Sequence, residues 1–517
     1  MNKVLSILLF TITTSVIGQS IIPKPRLLKA SGKNIEFGKI EITSLPKKAS
    51  FQTESFQIKW DFLRGELIDK IPQKEGKTIN IILALGYLPT EAYSIQTSQK
   101  QIVISASSYA GFYYGVSSLS QLLEAQKNKS CYEISEGLQI YDAPEFSYRG
   151  MHLDVSRHFF PTDSILTYID MLSRYKFNRF HWHLTDDQGW RIEIKKYPLL
   201  TQIGSKRRET MLAKNFNPYK GDGKPVSGFY TQEDIRKIIE YAKVRNIEVI
   251  PEIEMPGHAT AAVAAYPFLS CKKDTLPVAT TWGVFEDVYC VNDNTLQFMF
   301  DILEEVMDIF PSRLIHIGGD EVIKTRWDNC DICRNTKSKN QLKNSNELQS
   351  YFIQKIDSFI HSHNRAIIGW DEILEGGLAE NAWVMSWRGT KGGIEAAKQK
   401  HNVVMTPGTH CYFDHYQGPV DIEPLAIGGY TTIEKVYNYK IIPEVLNSTQ
   451  KQFIQGAQGN VWTEYMPNFS HVQYMTLPRM VALSEVLWGT NVDYIDFLAR
   501  LEHHKTYFKQ QGWNYKK

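Results

Sequence analysis

The sequence predicts an α/β protein: a (β/α)8 TIM barrel over residues 143–517, ending in a C-terminal helix, preceded by a small α+β domain over residues 19–142. Three observations predict it. From about residue 143, short apolar runs alternate with helical periods. The runs fall at 150–155, 179–184, 248–253, 314–317, 366–370, 382–387, 403–406 and 459–462. Helical stretches lie between many of them, at 162–174, 232–245, 295–309 and 347–363. Each run also ends in polar or aromatic residues, as strands do on the face where barrels build their sites. The alternation alone would equally suit an open parallel sheet.

The elements before residue 143 read differently. Segments 21–25, 79–85 and 101–106 are short strand candidates with turn residues between them, and 110–125 reads as an amphipathic helix. No catalytic cluster stands out there. At the very start, Lys3 precedes an apolar run over 4–10 and a small residue, Gly18. That pattern is expected of a secretory signal peptide over 1–18, cleaved near Gly18. An exported protein, periplasmic or secreted, is therefore expected. No later segment is long and apolar enough for a membrane span.

Composition excludes several classes. Apolar residues make up 43% and charged residues 22% of the chain, which rules against a disordered or fibrous protein. Lys+Arg 58 against Asp+Glu 56 leaves a net charge of +2 and no basic stripe, so nucleic acid is not an expected partner. Aromatics reach 12%, a quantity that suits sugar faces as well as cores. The full Gly-x-x-x-x-Gly-Lys-Ser/Thr phosphate loop and a Gly-x-Ser-x-Gly elbow are both missing from the sequence.

Polar residues gather at the strand ends. The first run ends in Asp154, Ser156, Arg157 and His158 and is preceded by Arg149; the second ends in His183, Asp186 and Asp187. The third gives Glu252, Glu254 and His258, and the fourth gives Gly318-Gly319-Asp320-Glu321. Trp370 and Trp387 close the fifth and sixth; Tyr412 and Asp414 follow the seventh; Trp462 and Glu464 close the eighth. In a barrel these ends share one rim. Adjacent carboxylates repel, which tends to hold one of them protonated near neutral pH, as a general acid must be.

Metals are not expected. His181-x-His183 with Asp186 and Asp187 has ligand chemistry, but alternate residues of one strand face one side and buried histidines usually serve hydrogen bonding. Of the six cysteines, Cys330 and Cys333 could form half a zinc ribbon. No second Cys-x-x-Cys exists to complete it, so a structural zinc is not expected either. Cys271 and Cys290 are the other near neighbours, and Cys131 and Cys411 stand apart.

At His316-Ile317-Gly318-Gly319-Asp320-Glu321 the chain resembles the β-N-acetylhexosaminidases of glycoside hydrolase family 20. The likeness extends through 183–191, 251–258 and 462–464 and covers roughly residues 20–490. The resemblance implies an exo-acting hydrolase that removes terminal GlcNAc or GalNAc from β-linked glycans or chitooligosaccharides with retention. It implies that the substrate's own 2-acetamido oxygen attacks the anomeric carbon, the exception to the two-carboxylate scheme. By the same resemblance, Glu321 is the general acid and base, Asp320 holds the acetamido N–H, and Tyr412 donates to its oxygen. Trp370, Trp387 and Trp462 would box the acetamido methyl and the sugar face. Arg149, Asp414 and Glu464 would bind ring hydroxyls, and His258 and Asp186 would tune Glu321. Glu254 departs from the family, where many members carry Asp. No cofactor is implied, and the expected partners are N-acetylhexosamine-containing glycans. Two other readings stay open: a lacto-N-biosidase-like enzyme releasing a disaccharide, and a sugar-binding barrel without catalysis.

Overall fold

From Tyr148 onward the chain closes into a barrel of eight parallel strands in a computed structural model, which describes residues 20–44, 54–68 and 71–517. The strands are β1 (Tyr148–Asp154), β2 (Arg179–His183), β3 (Glu248–Glu252), β4 (Leu314–His316), β5 (Ala366–Trp370), β6 (Trp383–Ser386), β7 (Val403–Met405) and β8 (Ile454–Gly459). They pair in sequence order, and β8 pairs with β1 to complete the ring. The open-sheet alternative is thereby excluded. The proposed signal peptide lies outside the described residues. Among the described residues, no helix is long and apolar enough to cross a membrane.

Between the strands run helices α1 (Thr162–Arg174), α2 (Gln232–Val244), α3 (Asp293–Ile309) and α4 (Ser345–Ser362). Local chemistry sets their ends. Thr231 and Asp234 form a reciprocal capping box at the start of α2, where Glu233 and Asp234 also suit the positive end of the helix. Asn292 and Asn344 cap α3 and α4 through their side chains. On α2, Ile235, Ile238, Ile239 and Ala242 recur at helical spacing and are buried, so one stripe packs inward. Each such fully buried aliphatic side chain contributes roughly 1.5–3 kcal/mol.

Two strand expectations need correction. The eighth strand was expected at 459–462 but spans Ile454–Gly459. Its Ile-Gln-Gly-Ala-Gln-Gly run carries little apolar signal. Gly456 sits at φ +149, and a Cβ there would collide with the Tyr148 carbonyl. Segment 21–25 is not a strand. Pro23 and Pro25 lack the N–H a ladder requires. Instead Gln121 clamps Ile22, accepting from its N–H at 2.9 Å and donating to its carbonyl at 3.1 Å.

Contacts divide the chain into two compact units, Met1–Ala143 with Ile495–Thr506, and Pro144–Tyr494 with Tyr507–Lys517. In the first unit, among the described residues, a six-stranded mixed sheet runs in the order Leu27–Lys29, Gln139–Asp142, Tyr93–Ser98, Gln101–Ala106, Thr78–Leu85, Lys39–Ser44. The helix Tyr109–Glu124 buries its apolar face there. The C-terminal helix Tyr494–Gln511, expected to belong to the barrel, contributes its middle to this unit instead. Its Arg500 donates to the Ile21 carbonyl at 3.1 Å, and His504 Nε2 lies 2.8 Å from the Ser20 carbonyl.

Inside the barrel, Tyr148, Ile250, Leu314, Ala366, Ile368, Met385 and Val404 pack into one apolar cluster with Trp370. The interior also holds a buried polar layer of His152, His181, His183, Glu252, His316 and Gln458. That layer underlies the site.

Candidate active site

Glu252, the last residue of β3, anchors the layer. Its carboxylate lies 3.0 Å from His181 Nε2 and 2.9 Å from His316 Nδ1, and it accepts from Trp370 Nε1 at 2.9 Å. His183 Nδ1 also contacts it. Burial alone would push such a carboxyl up, but the surrounding histidines, His316 foremost, hold it well below the usual carboxylate range. Burial opposes charge on His183 as well, yet Glu252 and a hydrogen bond to Asp186 hold it up at about 10. His181 goes the other way, down to about 4, because burial dominates there.

His183 Nε2 lies 2.9 Å from Asp186, which follows β2. Asp186 lies 3.2 Å from His258 Nδ1, and Asp187 is 3.0 Å from the same nitrogen. The other ring nitrogen, Nε2, is 3.5 Å from both Asp320 Oδ2 and Glu321 Oε2. Four carboxylates thus surround one imidazole. Burial disfavours its charge, but Asp186 and the hydrogen bonds to Asp187 and Asp320 hold His258 protonated well above its ordinary value.

The loop after β4 presents the carboxylate pair. Gly318 and Gly319 have φ of +66 and +94, and Glu321 itself sits at +51. A side chain at Gly318 would run into the Glu254 carboxylate, so the sharp turn needs glycine there. Asp320 is buried and its Oδ1 has no hydrogen-bond partner. Glu321 is more open, and the hydrogen bond from His258 holds its carboxyl below the usual value. Raised acids stand beside the pair. Glu254, buried beside Asp320, is pushed well up, chiefly by burial and then by Asp320. Glu372, which accepts from Trp387 Nε1 at 2.9 Å, is pushed up to about 8 by burial and then by Asp320.

Aromatic residues line the same rim. Trp370 and Trp462 lie 5.7 Å apart between ring centroids, and Trp387 stacks on Tyr412 at 6.1 Å. Burial, then Asp414, raises the Tyr412 phenol well above its usual value. Asp414 is buried with Oδ1 unpartnered, and burial followed by Glu464 pushes its carboxyl well up. Asp414, Trp462 and Glu464 line one cleft with Ala426 and Ile427.

Among the residues singled out from sequence, the structure brings Asp320, Glu321, Tyr412, Trp370, Trp387, Trp462, Asp414, Glu464, His258 and Asp186 to the C-terminal ends of the strands. It does not bring Arg149. That residue opens β1 at the opposite end, where it donates to the Phe146 carbonyl at 2.8 Å and the Lys176 carbonyl at 3.0 Å and lies over Trp488. Arg157 stands on the rim instead. Its guanidinium meets Asp186 at 2.8 Å, Asp154 at 3.3 Å and Glu464 at 3.8 Å, and lies 5.0 Å from the Trp462 ring centre. The available signal was position: Arg157 follows the strand whereas Arg149 begins it. Glu372 and the histidines around Glu252 were also missed as parts of the site.

The described arrangement has counterparts. The model for the glycosyl hydrolase family 20 catalytic domain matches residues 146–491, and that for domain 2 of the same family matches 18–143. A β-hexosaminidase from Porphyromonas gingivalis is 42% identical over 96% of this chain, which spans 64% of that protein's length. The crystal structure of a β-N-acetylhexosaminidase from Bacteroides fragilis superposes with a TM-score of 0.80 at 30% identity, covering 96% of this chain and 97% of that one. An exo-β-N-acetylglucosaminidase from Vibrio harveyi, solved with N-acetylglucosamine, gives a TM-score of 0.83 at 30% identity, with 97% and 78% covered. With its barrel, its carboxylate pair and both family domains in order, the chain belongs to glycosyl hydrolase family 20 and is a glycoside hydrolase.

Proposed function

We propose that this glycoside hydrolase is an exported exo-β-N-acetylhexosaminidase that works by substrate assistance. One observation carries the reading. Asp320 offers a buried, unpartnered carboxylate oxygen beside Glu321, on a rim walled by Trp370, Trp387, Trp462 and Tyr412. An acceptor of this kind in an apolar box suits an amide N–H next to a methyl group. Two carboxylates adjacent in sequence are poorly placed to flank a glycosidic bond about 5–5.5 Å apart, as an ordinary retaining pair must.

In this reading Asp320 accepts from the acetamido N–H and steadies the positive charge that develops as the amide oxygen attacks the anomeric carbon. Tyr412 donates to that oxygen and aims it. Glu321 protonates the departing glycosidic oxygen, then takes a proton from the water that opens the oxazolinium ion. The proton is stored nearby, because the His258 cation faces Glu321. Arg157, Asp414 and Glu464 close on the hydroxyls of the terminal sugar. Export rests on the amino-terminal sequence pattern.

The test is parallel hydrolysis of nitrophenyl β-glycosides of GlcNAc, GalNAc, glucose and galactose. The N-acetyl sugars should be cleaved and the others left essentially untouched. Efficient turnover of the glucoside would overturn substrate assistance.

A further inference from the structure

Cys271, Cys290 and the pair Cys330 and Cys333 come from three separate stretches of the sequence and converge in the fold. Sγ of Cys290 is 3.6 Å from Cys333 and 3.8 Å from Cys330, and Cys271 is 3.7 Å from Cys333. All four sulfurs lie within 4.8 Å of one another. Three of the residues are buried and Cys271 is partly so.

We propose that these four cysteines bind one structural zinc ion. A tetrahedral zinc with bonds of about 2.3 Å places its sulfurs roughly 3.8 Å apart, which is the spacing seen here. A disulfide brings sulfurs to about 2.05 Å, and no pair approaches that. Cys290 and Cys333 each face two other cysteines at nearly equal distance, so the geometry singles out no two bonded pairs. The expectation of no structural metal came from the missing second Cys-x-x-Cys. The fold supplies two single cysteines in its place, brought together by the bridge between Ser270 and Tyr289 and the 2.7 Å bond from Cys290 N to the Leu269 carbonyl.

The local scaffold suits thiolates. Cys330 caps the helix Asp331–Lys339 and Cys333 lies in its first turn, where the helix favours negative charge. Four soft anionic donors suit zinc, and a site filled by four protein ligands has no open position for substrate. The ion is structural rather than catalytic.

Its position gives it a consequence for the site. Cys271 and Cys290 belong to the loop after β3, which carries His258; Cys330 and Cys333 belong to the segment after β4, which carries Asp320 and Glu321. Tyr289, next to Cys290, donates its N–H to the Pro256 carbonyl at 2.9 Å and accepts from Trp327 Nε1 at 2.9 Å. The ion would staple the two segments whose side chains meet at His258 and Glu321.

The test is metal analysis of the full chain purified without a metal-affinity step. About one zinc per chain is expected, released in step with blocking of the cluster thiols by a mercurial. Cys333→Ser and Cys290→Ser should lose the ion, whereas Cys131→Ser should keep it. Cobalt substitution should give the intense visible bands of a tetrahedral thiolate site. A wild-type protein without zinc whose intact mass is short by four hydrogens would show two disulfides and overturn the proposal. Iron in place of zinc would overturn it too, as would zinc retained in both cluster variants. The wild-type analysis stands even if a serine variant fails to fold.

Discussion

Arg157 is the hub of charge on the rim, and Arg149 is a structural residue at the foot of the same strand. Their substitutions should therefore part company. Arg157→Ala removes a donor shared by Asp186, Asp154 and Glu464, and charged hydrogen bonds are worth about 1.5–3 kcal/mol each. A fall in kcat/KM of at least about tenfold is expected, since 1.4 kcal/mol is a factor of ten. Arg149→Ala strands two carbonyls at about 1–3 kcal/mol each if left unpaired. It should lower Tm yet leave kcat/KM near normal at temperatures where the protein is folded. Steady-state kinetics beside thermal melts on both variants decide it; equal kinetic damage from the two would contradict the assignment. At this scale the sequence was informative wherever chemistry sits just beyond a strand, as for Asp320, Glu321, Trp370 and Glu464. It misled at Arg149, whose role was carried over from the resemblance although the residue precedes the strand; the Asn178 N–H on the Arg149 carbonyl places it at the strand's start.

The turn after β4 is the element on which the proposed chemistry depends. Gly318→Ala forces a left-handed residue to carry a Cβ into the Glu254 carboxylate. The turn should shift, taking Asp320 and Glu321 with it, and kcat should fall by about tenfold or more, since small misplacements cost up to 100-fold. Normal kcat in a folded variant would show that the turn is not holding the pair. The short helix after β5 (Asp371–Leu374) carries a second, pH-dependent prediction. Glu372, raised to about 8, keeps a proton that an unfolded glutamate releases near ~4.3. Its contribution to stability is therefore complete below ~4.3 and drains away as pH climbs through about 8. Glu372→Gln keeps an acceptor for Trp387 and removes that slope. The Tm difference between variant and wild type should move in the variant's favour from pH 5 to pH 9, and a difference independent of pH would refute the idea. An element with a chemical end signal was readable: α2 starts where the Thr231–Asp234 box places it. The strand β8 was not, because glycines and glutamines replace its apolar side chains where the barrel closes.

At the scale of the molecule, the barrel was legible because strands and helices alternate in sequence as they do in space. What was not legible depends on long-range convergence. Glu252 gathers histidines from β2 and β4, and the cysteine cluster draws on segments 40 to 62 residues apart. No spacing rule announces such meetings. The last helix is a further case, since it completes the first unit with residues from the end of the chain. A shortened gene ending at residue 491, where the family match stops, should leave the amino-terminal unit open to protease while the full chain resists; equal resistance would argue against the contacts of Arg500 and His504.

The clasp of Ser20 and Ile21 by His504 and Arg500 also bears on biogenesis. Residues near position 20 wait for residues near position 500. Translation must run through residue 504 before the unit that contains Ser20 has all the partners described for it, so that unit is completed only after every barrel strand has been made.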